Sequence, residues 1–462
     1  MFTNKNNTIL WLMFLFAFSF SLDTSNIVVV VLSQHEGYHA AHAKLLKDKI
    51  IEETLAFDQN PPKFIFTHEE HVNGSWTYFP LITILYSRFP KADWFLFCLD
   101  NTAIKFQGLV KLLDSYNTSK DYWLGHALYD KDPTIIHHFT DQPKKLKYPN
   151  VASGFAISNT LMKSLNSRLK IFGIPETDFS IDASYEFANY IFNKGKNGTR
   201  LTHVPEFCGF FTTNCVTYPK GFHVCANSVS REKIYVAVKT FDANHQSRIP
   251  IISKTWLKHV KNYGLFSNIE DKKLENVIIV PNTKEGHCAK TYAILQHADK
   301  ILQSRGIDWL VIADDDTIFS IARLTRLLTC YNPNNPVALG ERYGFRVIHD
   351  DGYEYLTGGA GLVLSAPLVH RIVESTACQC PKSTTPDDMF IFGICLNKVG
   401  VRPTHSPLFH QARPIDYSMN YLSSQEPVSF HKFWMIDPIQ VYEHWFKEAD
   451  NELQSTWQHT EL

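Results

Sequence analysis

Three things are scarce or missing in this sequence. It has no surplus of charge of either sign: 45 Lys and Arg stand against 46 Asp and Glu, a formal net charge of −1. That balance removes the electrostatic argument for a nucleic-acid or anionic-membrane partner. It has no CxxC pair, so neither a zinc site of that spacing nor a thioredoxin-like redox motif is indicated. It also lacks an apolar run long enough for a bilayer. The contender, Ile9–Leu22, falls below the ~17 residues that a spanning helix needs. Lys5 precedes that run and small residues follow it near Ser25, the arrangement of a secretory signal peptide. The expectation is a signal over residues 1–25 and no stable membrane span, with a short retained anchor as the alternative.

What is present fits a lumenal chain. The last four residues, His459–Leu462, read HTEL and resemble a KDEL-type retrieval signal. Joined to the signal-like start, they describe a soluble resident of the endoplasmic reticulum lumen that meets the retrieval receptor. Sequons at Asn73, Asn117 and Asn197 agree with that compartment. The nine cysteines should mostly pair there, and an odd count leaves at least one free or paired with another chain.

The 462 residues suffice for two or three domains. In the second half, Ile234–Thr240, Asn276–Val280 and the WLVIA run before Asp314 read as buried strands. RIPIISKTWLKHV and Thr291–Leu302 carry helical spacing between them. That βαβαβ order opens a doubly wound, mostly parallel sheet. The first half repeats it: strands at Ile27–Ser33, Lys63–Thr67 and WFLFC, helices at His39–Leu55 and Thr77–Phe89. Further anchors match in order: LGHALYD with LGERYGF, VASGFAIS with GGAGLVLS, THVPEFC with THSPLFH. Buried strands alone explain the Val and Ile runs but not these. The reading is a tandem duplication over 26–224 and 231–449, with a tail at 450–462 and no low-complexity linker between the halves.

The halves differ where chemistry would reside. Asp314, Asp315 and Asp316 end an apolar strand in DWLVIADDDTIF, whereas the matching DWFLFCLDNTAI has Leu99, Asp100 and Asn101. Adjacent carboxylates repel unless they share a cation, and carboxylate oxygens suit Mg, Ca or Mn. The competing interpretations are a solvated turn and a structural calcium site. Asp387 and Asp388 precede an apolar helix, where they could cap it or act as a general base. His410 could be a metal ligand, and its mate in the first half is Cys208.

Asp314–Asp316, GER at Gly340–Arg342, GGAG at Gly358–Gly361, Pro386–Asp388 and FHQ at Phe409–Gln411 resemble, in that order, the fringe-like inverting β-1,3-glycosyltransferases. The resemblance covers about 231–446. HSPLFHQARP and SFHKFWMIDP, with the two-copy plan and the tail, are similar to the branch of that family that adds glucose to O-linked fucose on thrombospondin type 1 repeats. The resemblance implies two tandem GT-A-like, Rossmann-like α/β domains, the first degenerate. It also implies a divalent metal, manganese by family habit, a UDP-glucose donor and inversion in one displacement. On this reading Asp316 and His410 hold the metal, and Asp314 and Asp315 serve the nucleotide. Lys239, Thr240, Arg248 and Lys290 are further nucleotide contacts, and Asp388 is the base with Asp387 as its rival. Two alternatives stand beside this: N-acetylglucosamine or galactose as the donor sugar, and a non-enzymatic lectin or folding factor for fucosylated repeats.

Overall fold

The computed structural model describes residues 22–139, 145–175, 177–192, 198–222, 224–283 and 285–455. The signal-like run, the HTEL tail and Asn197 lie outside the described residues. Two main sheets form, each from short buried runs of β-branched and aromatic residues. The first contains β1 (Ile27–Leu32), β2 (Lys63–Phe66), β3 (Trp94–Leu99), β4 (Trp123–Gly125), β5 (Phe155–Ser158) and β6 (Thr202–His203), in spatial order β6-β4-β5-β3-β1-β2. The second contains β7 (Ile234–Lys239), β8 (Asn262–Ser267), β9 (Val277–Ile279), β10 (Trp309–Asp314), β11 (Ala338–Gly340), β12 (Leu362–Ser365) and β13 (Thr404–His405), in spatial order β9-β8-β7-β10-β12-β11-β13.

Without its edge strand β9, the second sheet has the order and strand senses of the first. β1 is parallel to β2 and β3, as β7 is to β8 and β10. β5 runs antiparallel to β3 and β4, as β12 does to β10 and β11. Small ladders repeat as well: Thr102–Ile104 pairs with Thr217–Pro219, and Thr317–Phe319 with Ser429–His431. Both sheets are covered on both faces, which is why their strands read as continuous apolar runs. Along β10, Trp309, Val311 and Ala313 enter one core while Leu310 and Ile312 enter another.

One strand differs from the sequence expectation. The neighbour of β7 is β8, and the expected 276–280 segment supplies the edge strand β9. β8 reads NYGLFS, and its glycine hides the strand pattern. A Cβ on Gly264 would lie 2.5 Å from both Ile278 Cδ1 and the Tyr235 hydroxyl, so the packing requires the residue that weakens the signal.

The halves pack against each other. Phe179–Ser180 of the first adds to the Arg342–Phe345 and Tyr353–Leu356 hairpin of the second. Gln34 and His405 exchange two hydrogen bonds, at 2.9 and 2.7 Å. Eight cysteines form Cys208–Cys215, Cys225–Cys330, Cys288–Cys380 and Cys378–Cys395, and the odd one is buried Cys98. Cys225–Cys330 closes a span of 105 residues, beginning in the segment that joins the halves. Cys225→Ser with Cys330→Ser is expected to cost about 2–5 kcal/mol, read as a lower denaturant midpoint, because the open unfolded chain gains conformational entropy.

Candidate active site

Ligands in open α/β sheets sit beyond the carboxyl ends of parallel strands. There β7 and β10 place Lys239 and Asp314 side by side as register partners. Lys239 Nζ lies 3.0 Å from Asp314 Oδ1 and donates to Asp387 Oδ2 at 3.1 Å. Burial opposes the charge on Lys239, but the two carboxylates more than offset it and hold its pKa above the usual range. Burial likewise opposes ionisation of Asp314, and Lys239 then His431 outweigh it, so its pKa falls.

The three aspartates divide their work. Asp315 turns inward and accepts from Thr240 Oγ1 at 2.7 Å, Asn244 Nδ2 at 2.8 Å and Arg248 Nη1 at 2.7 Å. Asp314 and Asp316 face His431, whose Nε2 is 3.8 Å from Asp314 Oδ2 and 3.2 Å from Asp316 Oδ1. Arg248 also reaches Asp316, at 3.0 Å. Lys290 is buried and donates to the Thr240 carbonyl, and burial followed by Lys239 lowers its pKa to about 8. Lys239, Thr240, Arg248 and Lys290, the four expected nucleotide contacts, therefore gather around the acids.

Among the described residues, Asp314, Asp316 and His431 are the one group of three or more acids, histidines and cysteines close enough to hold an ion, with ligand atoms within 4.8 Å of one another. Two carboxylates and an imidazole are a donor set suited to a divalent first-row ion such as Mn²⁺. The histidine is prepared for it. Nδ1 of His431 lies 3.0 Å from the Gln411 carbonyl, which can only accept. The ring thus donates its Nδ1–H to that carbonyl, which leaves Nε2 as the atom that would meet an ion. Gln411 is fixed in turn, its Oε1 accepting from Ala360 N at 2.7 Å and its own N–H donating to Glu341. A Cβ on Gly359 would come within 2.3 Å of the His431 ring, which accounts for one glycine of GGAG.

The metal-ligand expectation at His410 is corrected here. His410 is 1% exposed, with Nδ1 3.2 Å from the Leu408 carbonyl and its ring packed by Tyr417, Tyr421 and Phe430. Burial lowers its pKa to about 4. It belongs to this aromatic packing and not to the Asp314–Asp316–His431 group. The clue to His431 lay in SFHKF, whose last strand residue is the antiparallel partner of Thr317, next to the aspartates.

The two acids of PDDM also separate. Asp387 accepts from Lys239 and from Thr291 Oγ1. Asp388 accepts the Met389 N–H at 2.8 Å. Burial, then the Asp387 charge, raises the Asp388 pKa to about 6, a value suited to a group that must take up a proton. Both lie at the start of a helical run, Asp387–Lys398, with a π-helical stretch at Phe390–Cys395. The Asp387 N–H bonds the Gly286 carbonyl at 2.7 Å, and Cys288–Cys380 ties the two loops.

The first half has the same strand frame with other groups at the corresponding places. Leu32 and Leu99 are register partners where the second half has Lys239 and Asp314. The Leu99 N–H bonds Thr102 Oγ1 at 3.0 Å, as Asp314 N–H bonds Thr317 Oγ1 at 3.1 Å. Pro219 opposes Thr102 where His431 opposes Thr317.

Residues 229–460 match the family described as Fringe-like. The chain is 42% identical over 446 residues to a β-1,3-glucosyltransferase of Mus musculus, covering 94% of this chain and 90% of that one. It is 41% identical over 444 residues to a β-1,3-glucosyltransferase of Homo sapiens, covering 93% and 87%. Lunatic fringe of Danio rerio, a β-1,3-N-acetylglucosaminyltransferase, is 27% identical over 208 residues, covering 40% of this chain and 55% of that one. The geometry and these likenesses define a β-1,3-glycosyltransferase. The chain belongs to the fringe-like family.

Proposed function

We propose that this protein transfers glucose from UDP-glucose, in β-1,3 linkage with inversion, to O-linked fucose on thrombospondin type 1 repeats, as a resident of the endoplasmic reticulum lumen. The observation that carries the chemistry is the Asp314–Asp316–His431 cluster, with Asp387 rather than Asp388 paired to Lys239. The choice of glucose is supported by likeness along both halves to two glucosyltransferases, whereas the fringe match covers 40% of the chain. Among the described residues no helix is long and apolar enough to cross a membrane.

Each residue has a task. Asp314, Asp316 and His431 would hold the divalent ion, whose role when bound is to offset the charge that grows on the UDP leaving group. Arg248 and Lys290 add positive charge on the same side. Asp315 anchors Thr240, Asn244 and Arg248 and so shapes the nucleotide pocket. Asp388 takes the proton from the attacking fucose hydroxyl, and Asp387 positions Lys239. Single displacement needs no covalent enzyme intermediate. The reading is tested with purified protein, Mn²⁺, an O-fucosylated repeat, and UDP-glucose, UDP-N-acetylglucosamine and UDP-galactose in parallel. Transfer of glucose alone is expected, and preferential transfer of either other sugar would overturn the donor assignment.

We further infer that residues 26–224 descend from a duplication of 231–449 and carry no donor chemistry. Asp100→Ala with Asn101→Ala is therefore expected to leave turnover of UDP-glucose with a small fucoside within about twofold, since this change is remote from the reacting groups. For the compartment, deletion of His459–Leu462 is expected to increase secretion from cells, measured by immunoblot of the medium; unchanged retention would remove HTEL as the address.

A further inference from the structure

A cavity of about 1210 Å³ separates the two halves. Its floor is the carboxyl edge of the first sheet: Ser33 and Gln34 after β1, Thr67 and His68 after β2, Asp100 and Asn101 after β3. That is the crevice in which an α/β sheet binds its ligand. The opposite wall comes from the second half, through Tyr331, Arg342, Tyr353 and the Arg402–Leu408 segment. None of Asp314, Asp316, Asp388 or His431 lines it.

The lining disfavours a nucleotide. Leu32, Leu99, Asn101 and Pro219 occupy the places of the Lys239, Asp314, Asp316 and His431 set. Acidic side chains on the wall number six, against three basic ones, Lys220, Arg342 and Arg402. Arg342 is already 3.6 Å from Glu354 and lies over the Trp76 ring at 4.6 Å, and Arg402 bonds His35 at 2.7 Å. Two of the three cations are thus already engaged and the acids outnumber them, which disfavours a diphosphate.

What the wall offers instead is a neutral polar ligand's complement. Half-buried Tyr38, Trp76 and Tyr353 present ring surface. Asn101 and Asn150 bring amides to the wall, whereas Gln34, Asp100 and Asp182 are already hydrogen-bonded to His405, His39 and His137. Asn150 is 1% exposed and its Nδ2 has no hydrogen-bond partner; Asn101 Oδ1 and Arg342 Nε are likewise buried and unpaired. Unfilled capacity of this kind is uncommon in native interiors and requires a reason. A pyranose supplies both halves of the match, C–H faces for the rings and hydroxyls for the two asparagine amides. A cavity of this size holds more than one sugar ring.

We propose that the cavity between the halves is a second, metal-free binding site for a neutral saccharide. This stands independently of the donor sugar. The saccharide could be a fucose-bearing acceptor glycan or another glycan of the compartment, and the choice of probes separates these sources. Saturation-transfer NMR of the full chain is measured with methyl glycosides of L-fucose, D-glucose and D-mannose, each with EDTA and again with saturating UDP and Mn²⁺. At least one glycoside is expected to receive saturation under both conditions. Asn101→Ala and Tyr38→Ala should each weaken its affinity about fivefold or more, the equivalent of one lost hydrogen bond. Manganese-dependent UDP binding by the same variants reports that they are folded. A fucoside preference assigns the site to acceptor glycans and a mannoside preference to others. No saturation of any glycoside, saturation abolished by UDP with Mn²⁺, or affinity unchanged in both folded variants would overturn the proposal.

Discussion

Asp388→Asn is expected to bind UDP-glucose normally and to lose on the order of 10²–10⁴ in transfer rate, because the amide keeps the size of the side chain but cannot accept the hydroxyl proton. The matching change at Asp387 should act differently. Asp387 carries the Lys239 ammonium and the Thr291 hydroxyl, so Asp387→Asn is expected to raise the KM for UDP-glucose along with any fall in kcat. The pH profile supplies an independent check. Burial and the neighbouring Asp387 charge favour the neutral form of Asp388 and place its pKa at about 6. The base form is the ionised one, so transfer should rise with pH through about 6 and fall away below it. Near-normal transfer by Asp388→Asn would move the base elsewhere.

The second large effect concerns the metal. His431→Ala and Asp316→Ala are each expected to abolish transfer at limiting Mn²⁺, with chelation giving the same loss in the unaltered protein. His410→Gln should retain metal-dependent turnover, because its ring lies among Tyr417, Tyr421 and Phe430 and its Nδ1 faces a backbone carbonyl. The contrast is diagnostic. Both histidines follow a phenylalanine and both are buried, so general destabilisation would affect the two alike.

That pair also shows where the sequence stops informing. Phe409–His410 and Phe430–His431 are equally plausible as written. Only the antiparallel ladder between Thr317–Phe319 and Ser429–His431 decides between them, and it joins segments separated by more than a hundred positions. The FHQ motif belongs to the site all the same, through the Gln411 carbonyl that orients His431 and the Gln411 side chain that meets Ala360. The acids were visible as a charged triplet that ends a buried strand, and two of them meet His431 in the fold. The roles within the triplet were not visible, since side-chain direction at a turn depends on Thr240, Asn244 and Arg248 arriving from elsewhere. The anchors suggested a repeat, and the matched strand orders of the two sheets are consistent with it. β8 was missed because Gly264, needed for close packing, reads as a break.

The account rests on one half holding the metal through Asp314, Asp316 and His431 while the other holds none. Its most direct test is titration of Mn²⁺ into the full chain with UDP present, with free Mn²⁺ followed by electron paramagnetic resonance. A single UDP-dependent ion per chain is expected, lost in His431→Ala and kept in both His410→Gln and the Asp100→Ala, Asn101→Ala double variant. A UDP-dependent ion that survives His431→Ala, or is lost only on changing Asp100 and Asn101, would contradict it.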